Sequence, residues 1–150
     1  MIRSAIATWK GSPVIGEGLV TTSSGVIRNA LYLPAGASTG GDPCTSPSEM
    51  LAAAVASCMS MMLARETSKL GLKPEFVKTE SILTLEEQKG RWKITGIELH
   101  VTAGLPERER RALEKASKNA KAHCPISSAL NVPITVFTEL EVPLHEPVGA

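Results

Sequence analysis

The stretch Thr45-Ser46-Pro47-Ser48-Glu49-Met50-Leu51-Ala52-Ala53-Ala54-Val55-Ala56-Ser57-Cys58-Met59-Ser60-Met61-Met62-Leu63-Ala64, closing at Gly71, decides how the rest of the chain must fold. Ser46 with Glu49 three residues later is a capping-box pattern, and Pro47 stands at the first helical position, where its missing N–H costs nothing. Gly71 stands where a helix needs a residue with positive φ to stop. Between these signals the side chains are small or apolar on every side, which predicts a helix buried all round. Roughly 15 such residues fall short of the 20 or so that a bilayer span takes. The segment reads as a core helix with a thiol, Cys58, at its centre.

A chain of 150 residues fits one domain, 1–150, large enough for a hydrophobic core. The formal net charge is +1 and the charges are mixed along the sequence, with no basic run and no acidic tail. Aromatic residues make up 3% of the chain, too few for a base-stacking surface, so no nucleic-acid partner is expected. Residues 1–9 alternate polar and apolar and lack the apolar core of a signal peptide. No membrane partner is predicted either. Three cysteines cannot all pair within one chain, and together with the missing export signal they point to a reducing cytosol.

Working outward from the central helix, Ile2, Ala5, Ala7 and Trp9 sit near period-two spacing and read as a strand, ended by the turn Gly11-Ser12-Pro13. Residues 17–22 and 26–33 read as two more strands joined by Ser23-Ser24-Gly25. Between Pro34 and Pro43 the chain is small and glycine-rich, a loop leading into the helix. After Gly71, residues 76–87 and 91–103 form a β-rich pair with Lys89-Gly90 at the turn and an irregularity at Gly96. The charged run from Pro106 to His123 carries Leu113, Ala116 and Ala120 at helical spacing, as a surface amphipathic helix does. Pro125 can begin a further short helix, and residues 134–142 alternate as a last strand. The order βββ-α-ββ-α-α-β predicts an α+β domain whose antiparallel sheets wrap a buried central helix.

Two thiols are candidates for chemistry. Free cysteine is among the most buried residue types, so Cys58 reads either as a small core hydrophobe among Met59, Met61 and Met62 or as a reactive group. Cys124 precedes Pro125 and so falls at a helix N-cap, where the partial positive charge favours a thiolate. It is a candidate nucleophile or merely a tolerated cap. No Cys-x-x-Cys or His-x-x-x-His spacing exists to complete a metal site. His123 adjoins Cys124 but faces away from it on a helix, His100 alternates out of its strand's apolar face, and His145 lies in a proline-flanked tail. Cys44 reads as exposed and incidental.

The run Thr45-Ser46-Pro47-Ser48-Glu49-Met50-Leu51-Ala52-Ala53-Ala54 with Ser57-Cys58-Met59-Ser60-Met61 resembles the OsmC/Ohr family of thiol peroxidases. Ala7-Thr8-Trp9-Lys10-Gly11, Gly16-Glu17-Gly18, Ser24-Gly25-Val26 and Ala122-His123-Cys124-Pro125-Ile126-Ser127 extend the resemblance over nearly the whole chain. It implies an intertwined homodimer with two sites at its interface. It also implies attack of Cys58 on the O–O bond of an organic hydroperoxide to give a sulfenic acid. Cys124 would then resolve that acid as a disulfide, which an external dithiol reduces, without metal or organic cofactor. Glu49 matches a glutamate that in the family helps hold an arginine over the reactive sulfur. Nine positions separate Glu49 from Cys58, about 180° around a straight helix and roughly 13 Å along it. On one straight helix they cannot meet, so Glu49 serves through a bend, in a partner's site, or in its own capping box.

The sequence departs from the family at its arginine. A cation has to offset the effect of burial on Cys58. In the OsmC branch an arginine comes from the loop before the helix, near Ser38 here. In the Ohr branch it comes from an earlier loop, near residues 13–18. Neither place holds an arginine in this chain. Arg65, seven residues after Cys58 on the same helix face, and Arg28, in the second strand of the 17–22 and 26–33 hairpin, are the named substitutes. Two other readings keep the fold without fast peroxidase activity: a thiol-exchange protein, and a module that binds an apolar molecule in a Met- and Leu-lined interface pocket.

Overall fold

The computed structural model describes residues 1–34, 37 and 43–144. Ser38, most of the glycine-rich stretch and His145 lie outside the described residues. The chain divides into two compact units, residues 1–51 and 52–150.

In the first unit β1 (Ala5–Lys10), β2 (Glu17–Thr22) and β3 (Ala30–Tyr32) form an antiparallel sheet in that order. β3 is shorter than the 26–33 run the alternation predicts. The Thr22 N–H binds the Ile27 carbonyl, and Asn29 has a φ of 49°, so residues 23–29 are used up in the turn. Gly18 stands opposite Tyr32, whose ring lies over it; a Cβ at Gly18 would come within 2.1 Å of the ring. The Trp9 ring meets that of Tyr32 at a tilt, with centroids 5.7 Å apart.

The long helix α1 (Pro47–Lys69) begins in the first unit and continues in the second. Its start is held as the capping pattern requires, by the Glu49 N–H donating to Ser46 Oγ at 3.2 Å. Its end is a Schellman motif. Gly71 has a φ of 73°, its N–H binds the Ser68 carbonyl, and the Leu72 N–H binds the Thr67 carbonyl.

Two expectations about this helix change. Burial within the chain is one-sided: Val55, Cys58, Met59, Met62, Leu63, Glu66 and Thr67 are buried, while Ala53, Ser57, Ala64 and Arg65 are exposed and Met61 is 65% exposed. Composition alone carried no periodicity from which a single face could be read. The helix is also 23 residues long, with a mean hydropathy of 1.3 over its best window, so length and composition would allow it to cross a bilayer. Its buried residues, Val55, Cys58, Met59, Met62, Leu63, Glu66 and Thr67, lie along one stripe of it.

The second sheet has the order β4 (Val77–Gln88), β5 (Arg91–Gly104), β6 (Ile134–Glu141). Lys89 and Gly90 both have positive φ, as a tight two-residue hairpin requires. Thr84 pairs with Gly96 and Leu85 with Ile94, which leaves Thr95 as the extra residue of a bulge beside the irregularity read at Gly96. β5 runs through the middle and buries Ile97, Leu99, Val101 and Ala103. β6 pairs with β5 in parallel, where antiparallel pairing was expected. The connection is a helical crossover, which carries the chain back to the starting end of β5. It comprises a 3-10 turn (Glu107–Glu109), α2 (Arg110–His123) and α3 (Pro125–Ala129).

Thr79, Val101 and Thr138 form one cross-strand row and therefore share a face of this sheet. Ser60 of α1 donates to Thr79 Oγ1 at 2.8 Å, and Ser117 of α2 shares a hydrogen bond of 2.7 Å with Thr138. Both helices thus lie on the same face. The buried stripe of α2 is Leu113, Ala116, Ser117 and Ala120, a one-sided helical spacing.

Candidate active site

Cys58 sits in the middle of α1 and Cys124 at the junction of α2 and α3, 66 positions later, yet their sulfurs lie 2.9 Å apart. Local spacing gives each a chemically suggestive context, and only the family resemblance implies that they meet. Their meeting follows from the two helices lying on one face of the second sheet. One thiol donates to the other across this gap, so the two sulfurs share a hydrogen bond inside the protein.

The surroundings of the two sulfurs differ. Cys124 caps α3, with Pro125 at the first helical position, and its sulfur accepts from the Ser127 N–H at 3.5 Å. Burial pushes the Cys124 thiol up, but hydrogen bonds from Cys58, Ser127 and the Ile126 backbone outweigh it and hold this thiol below its ordinary value. Burial also pushes Cys58 up, and the hydrogen bond and charge of Cys124 push it the same way, against the backbone of Ile126. These directions favour a thiolate on Cys124 over one on Cys58. This is the reverse of what an isolated cation over Cys58 would do.

Neither substitute named for the family arginine is among the groups that shift the Cys58 thiol. Arg65 is exposed, and its charge acts on Glu66. Arg28 is exposed in the first unit, with its guanidinium beside the turn at Gly25. Glu49 also belongs to the first unit, where its carboxylate accepts from Thr45 Oγ1 at 2.7 Å. In a reciprocal capping box it would return to the Ser46 N–H.

Cys44 is half-buried and unpaired with another cysteine. His100 stacks on Phe137 with ring centroids 4.8 Å apart, and approaches Glu98. His123 turns from the sulfurs toward Glu66, with Nδ1 3.7 Å from the carboxylate. Among the described residues no group of three or more His, Cys, Asp or Glu is placed to hold a metal ion.

Glu66 and Ser127 went unread in the sequence. Glu66 stands eight residues after Cys58 in the buried stripe of α1 and is only 4% exposed, a charge where the pattern asks for an apolar residue. Lys69 Nζ donates to it at 2.6 Å. That hydrogen bond, with the charges of Lys69, His123 and Arg65, holds its carboxyl below the ordinary glutamate value. A carboxyl depressed in the fold contributes stability above its unfolded pKa and loses it as pH falls through the folded value. The melting temperature should accordingly fall as pH drops below about 4.3, the unfolded value. Glu66→Gln should be less stable at neutral pH and show a shallower acid slope, read by calorimetry across pH 2–7 (about five points). An unchanged slope would remove Glu66 from the account and leave it to Glu107, depressed in the same way by Arg110. Ser127 could have been noticed as the third residue after a helix-capping cysteine, where an N–H faces the cap.

A depression of about 710 Å³, lined by Lys10, Val14, Ile15, Leu31 and Leu33 among others, belongs to the first unit and contains neither reactive cysteine. In the second unit a depression of about 420 Å³ reaches Ser127 and is bordered by Lys118, Lys121 and Val132.

The OsmC-like protein family matches residues 39–139, a span that includes both thiols of the pair. Peroxiredoxin OsmC of Escherichia coli K12 is 31% identical over 137 residues, covering 90% of this chain and 94% of that protein. The organic hydroperoxide resistance protein OhrB of Bacillus subtilis is similar in structure, with a TM-score of 0.70 at 24% identity, over 92% of this chain and 98% of that one. An OsmC-like protein of unknown function from Vibrio cholerae gives a TM-score of 0.76 at 18% identity, over 92% and 99%. With a family match over most of its length, a curated relative of this identity and the same fold in solved structures, the chain belongs to the OsmC-like protein family.

Proposed function

We propose that this protein is a thiol peroxidase that reduces organic hydroperoxides, with Cys58 attacking the peroxide and Cys124 resolving the product. The single observation that carries the reading is the 2.9 Å approach of two sulfurs from distant parts of the chain. The relatives named as a peroxiredoxin and as an organic hydroperoxide resistance protein support the reaction class.

Cys58 is 6% exposed and Cys124 fully buried, so a substrate reaches Cys58 first. A neutral Cys58 thiol is a poor nucleophile, and no family arginine stands in the sequence to ionise it. Cys124 supplies an alternative. Its depressed thiolate lies within hydrogen-bond reach of the Cys58 S–H and takes that proton as the sulfur attacks. The O–O bond breaks, one oxygen stays on Cys58 as a sulfenic acid, and the alkoxide takes the proton now held on Cys124 and leaves as an alcohol, which restores the Cys124 thiolate. Cys124 then attacks the Cys58 sulfur, releasing water and forming the disulfide, and an external dithiol restores both thiols. No metal or organic cofactor enters. Glu49 has no part in this scheme beyond its own helix start. A reducing cytosol suits a pair that must begin each cycle as free thiols.

We infer a homodimer from the exposed outer face of α1, where Ala53, Ser57, Met61 and Ala64 would be covered by a second copy. The rival reading, thiol exchange without fast peroxide attack, draws on the upward push on Cys58. Stopped-flow mixing with cumene hydroperoxide separates the two. Rapid loss of two thiols per chain, with a Cys58–Cys124 disulfide by mass spectrometry, is the expected result. Oxidation no faster than that of a free thiol, or centred on Cys44, would overturn it.

A further inference from the structure

We infer that when the Cys58–Cys124 disulfide is reduced, the incoming thiolate attacks the Cys58 sulfur and Cys124 departs, with Ser127 holding the departing thiolate through its backbone N–H and its hydroxyl. This rests on the reading that the pair cycles through a disulfide, and adds to it a direction of exchange and a residue.

Three observations point the same way. Access favours Cys58, the one residue of the pair with any exposed surface. Departure favours Cys124, whose sulfur already accepts from the Ser127 N–H at 3.5 Å. The third is Ser127 itself. Its side chain is 7% exposed and its hydroxyl is buried without a hydrogen-bond partner. An unpartnered buried hydroxyl is costly to keep. It lies near enough to the Cys124 sulfur to lower that thiol, and gains a full partner when the sulfur carries a negative charge, which is when Cys124 leaves the disulfide. The depressed Cys124 thiol and the raised Cys58 thiol agree with this polarity, because the thiol of lower pKa is the better leaving group.

The step balances. The reductant's thiolate forms a bond to the Cys58 sulfur, the Cys58–Cys124 bond breaks, and its electron pair goes to Cys124. The reductant's second thiol then attacks its own mixed disulfide, gives up its proton and frees Cys58. Two electrons pass from dithiol to protein.

The test uses the full-length protein carrying Cys44→Ser, bridged with diamide rather than a peroxide, so that it does not depend on peroxide attack. A monothiol, 2-mercaptoethanol, is added in excess and the reaction is quenched with N-ethylmaleimide before completion. Peptide mass spectrometry should find the mercaptoethanol adduct on Cys58 and the maleimide on Cys124. Adducts on Cys124, or an even split, would overturn the direction. Ser127→Ala should slow reduction by dithiothreitol roughly 3- to 10-fold, the loss of one hydrogen bond to a developing thiolate. The melting temperature of the reduced variant should stay level or rise, since the deleted hydroxyl had no partner. An unchanged rate would overturn the role of Ser127, and so would a slowed rate matched by a comparable loss of stability. A pair that diamide cannot bridge would overturn this inference and the peroxidase reading together. A bridged pair with the predicted adduct but no peroxide consumption would overturn the peroxidase reading alone.

Discussion

Cys58→Ser should abolish dithiol-dependent consumption of organic hydroperoxide, a loss on the order of a thousandfold or more, as removal of a nucleophile commonly gives. Serine keeps the size of the side chain and a donor toward Cys124, so the fold around the site is preserved and the lost activity reports chemistry. Cys124→Ser should give a different failure. Its first turnover slows, because serine at neutral pH cannot accept the Cys58 proton as a thiolate does. The cycle then halts with one oxygen atom gained on Cys58 and no internal disulfide, visible by intact mass. Coupled peroxidase assays and mass spectrometry on both variants check these outcomes. Equal activity in Cys58→Ser and wild type would end the proposed mechanism, and a Cys124→Ser enzyme that turns over normally would end the role given to Cys124.

The largest expected stability effect lies one turn beyond the reactive thiol. Leu63→Ala should destabilise the protein by about 2–5 kcal/mol, the range for truncating a fully buried leucine. Leu63 has no exposed surface and lies in the stripe with Val55, Met59 and Thr67. The cost exceeds the simple transfer of the lost methyl and methylene groups because the neighbours cannot fully close the cavity. Met61→Ala, on the same helix but 65% exposed, should change stability by no more than about 0.5 kcal/mol in the monomer. Denaturant titrations at fixed protein concentration check both. Comparable losses for the two would mean that the outer face of α1 is as covered as the inner one in solution.

Local signals in the sequence were strong where a few neighbouring residues decide the outcome. Ser46, Pro47 and Gly71 marked both ends of α1, and Lys89-Gly90 marked the hairpin. Cys124-Pro125 marked the start of α3. What escaped depended on partners far along the chain. The parallel pairing of β6 is set by where the crossover delivers the chain, and an alternating strand reads the same in either direction. The small residues of α1 carry no stripe from which to tell a covered face from an open one. Glu66 gains part of its meaning from a histidine contributed by another element. The two cysteines could be named separately, but the distance between them is a property of packing.

That short distance also affects the mechanics of the whole unit. A bond between positions 58 and 124 would tie the middle of α1 to the far end of α2 and close a loop of more than sixty residues. The sulfurs need to move less than about 1 Å from their 2.9 Å separation to reach bonding length. Closing such a loop restricts the unfolded chain by roughly 4 kcal/mol. The oxidised molecule would outlast the reduced one against heat and proteases, so an enzyme waiting for its reductant would be in its most durable form.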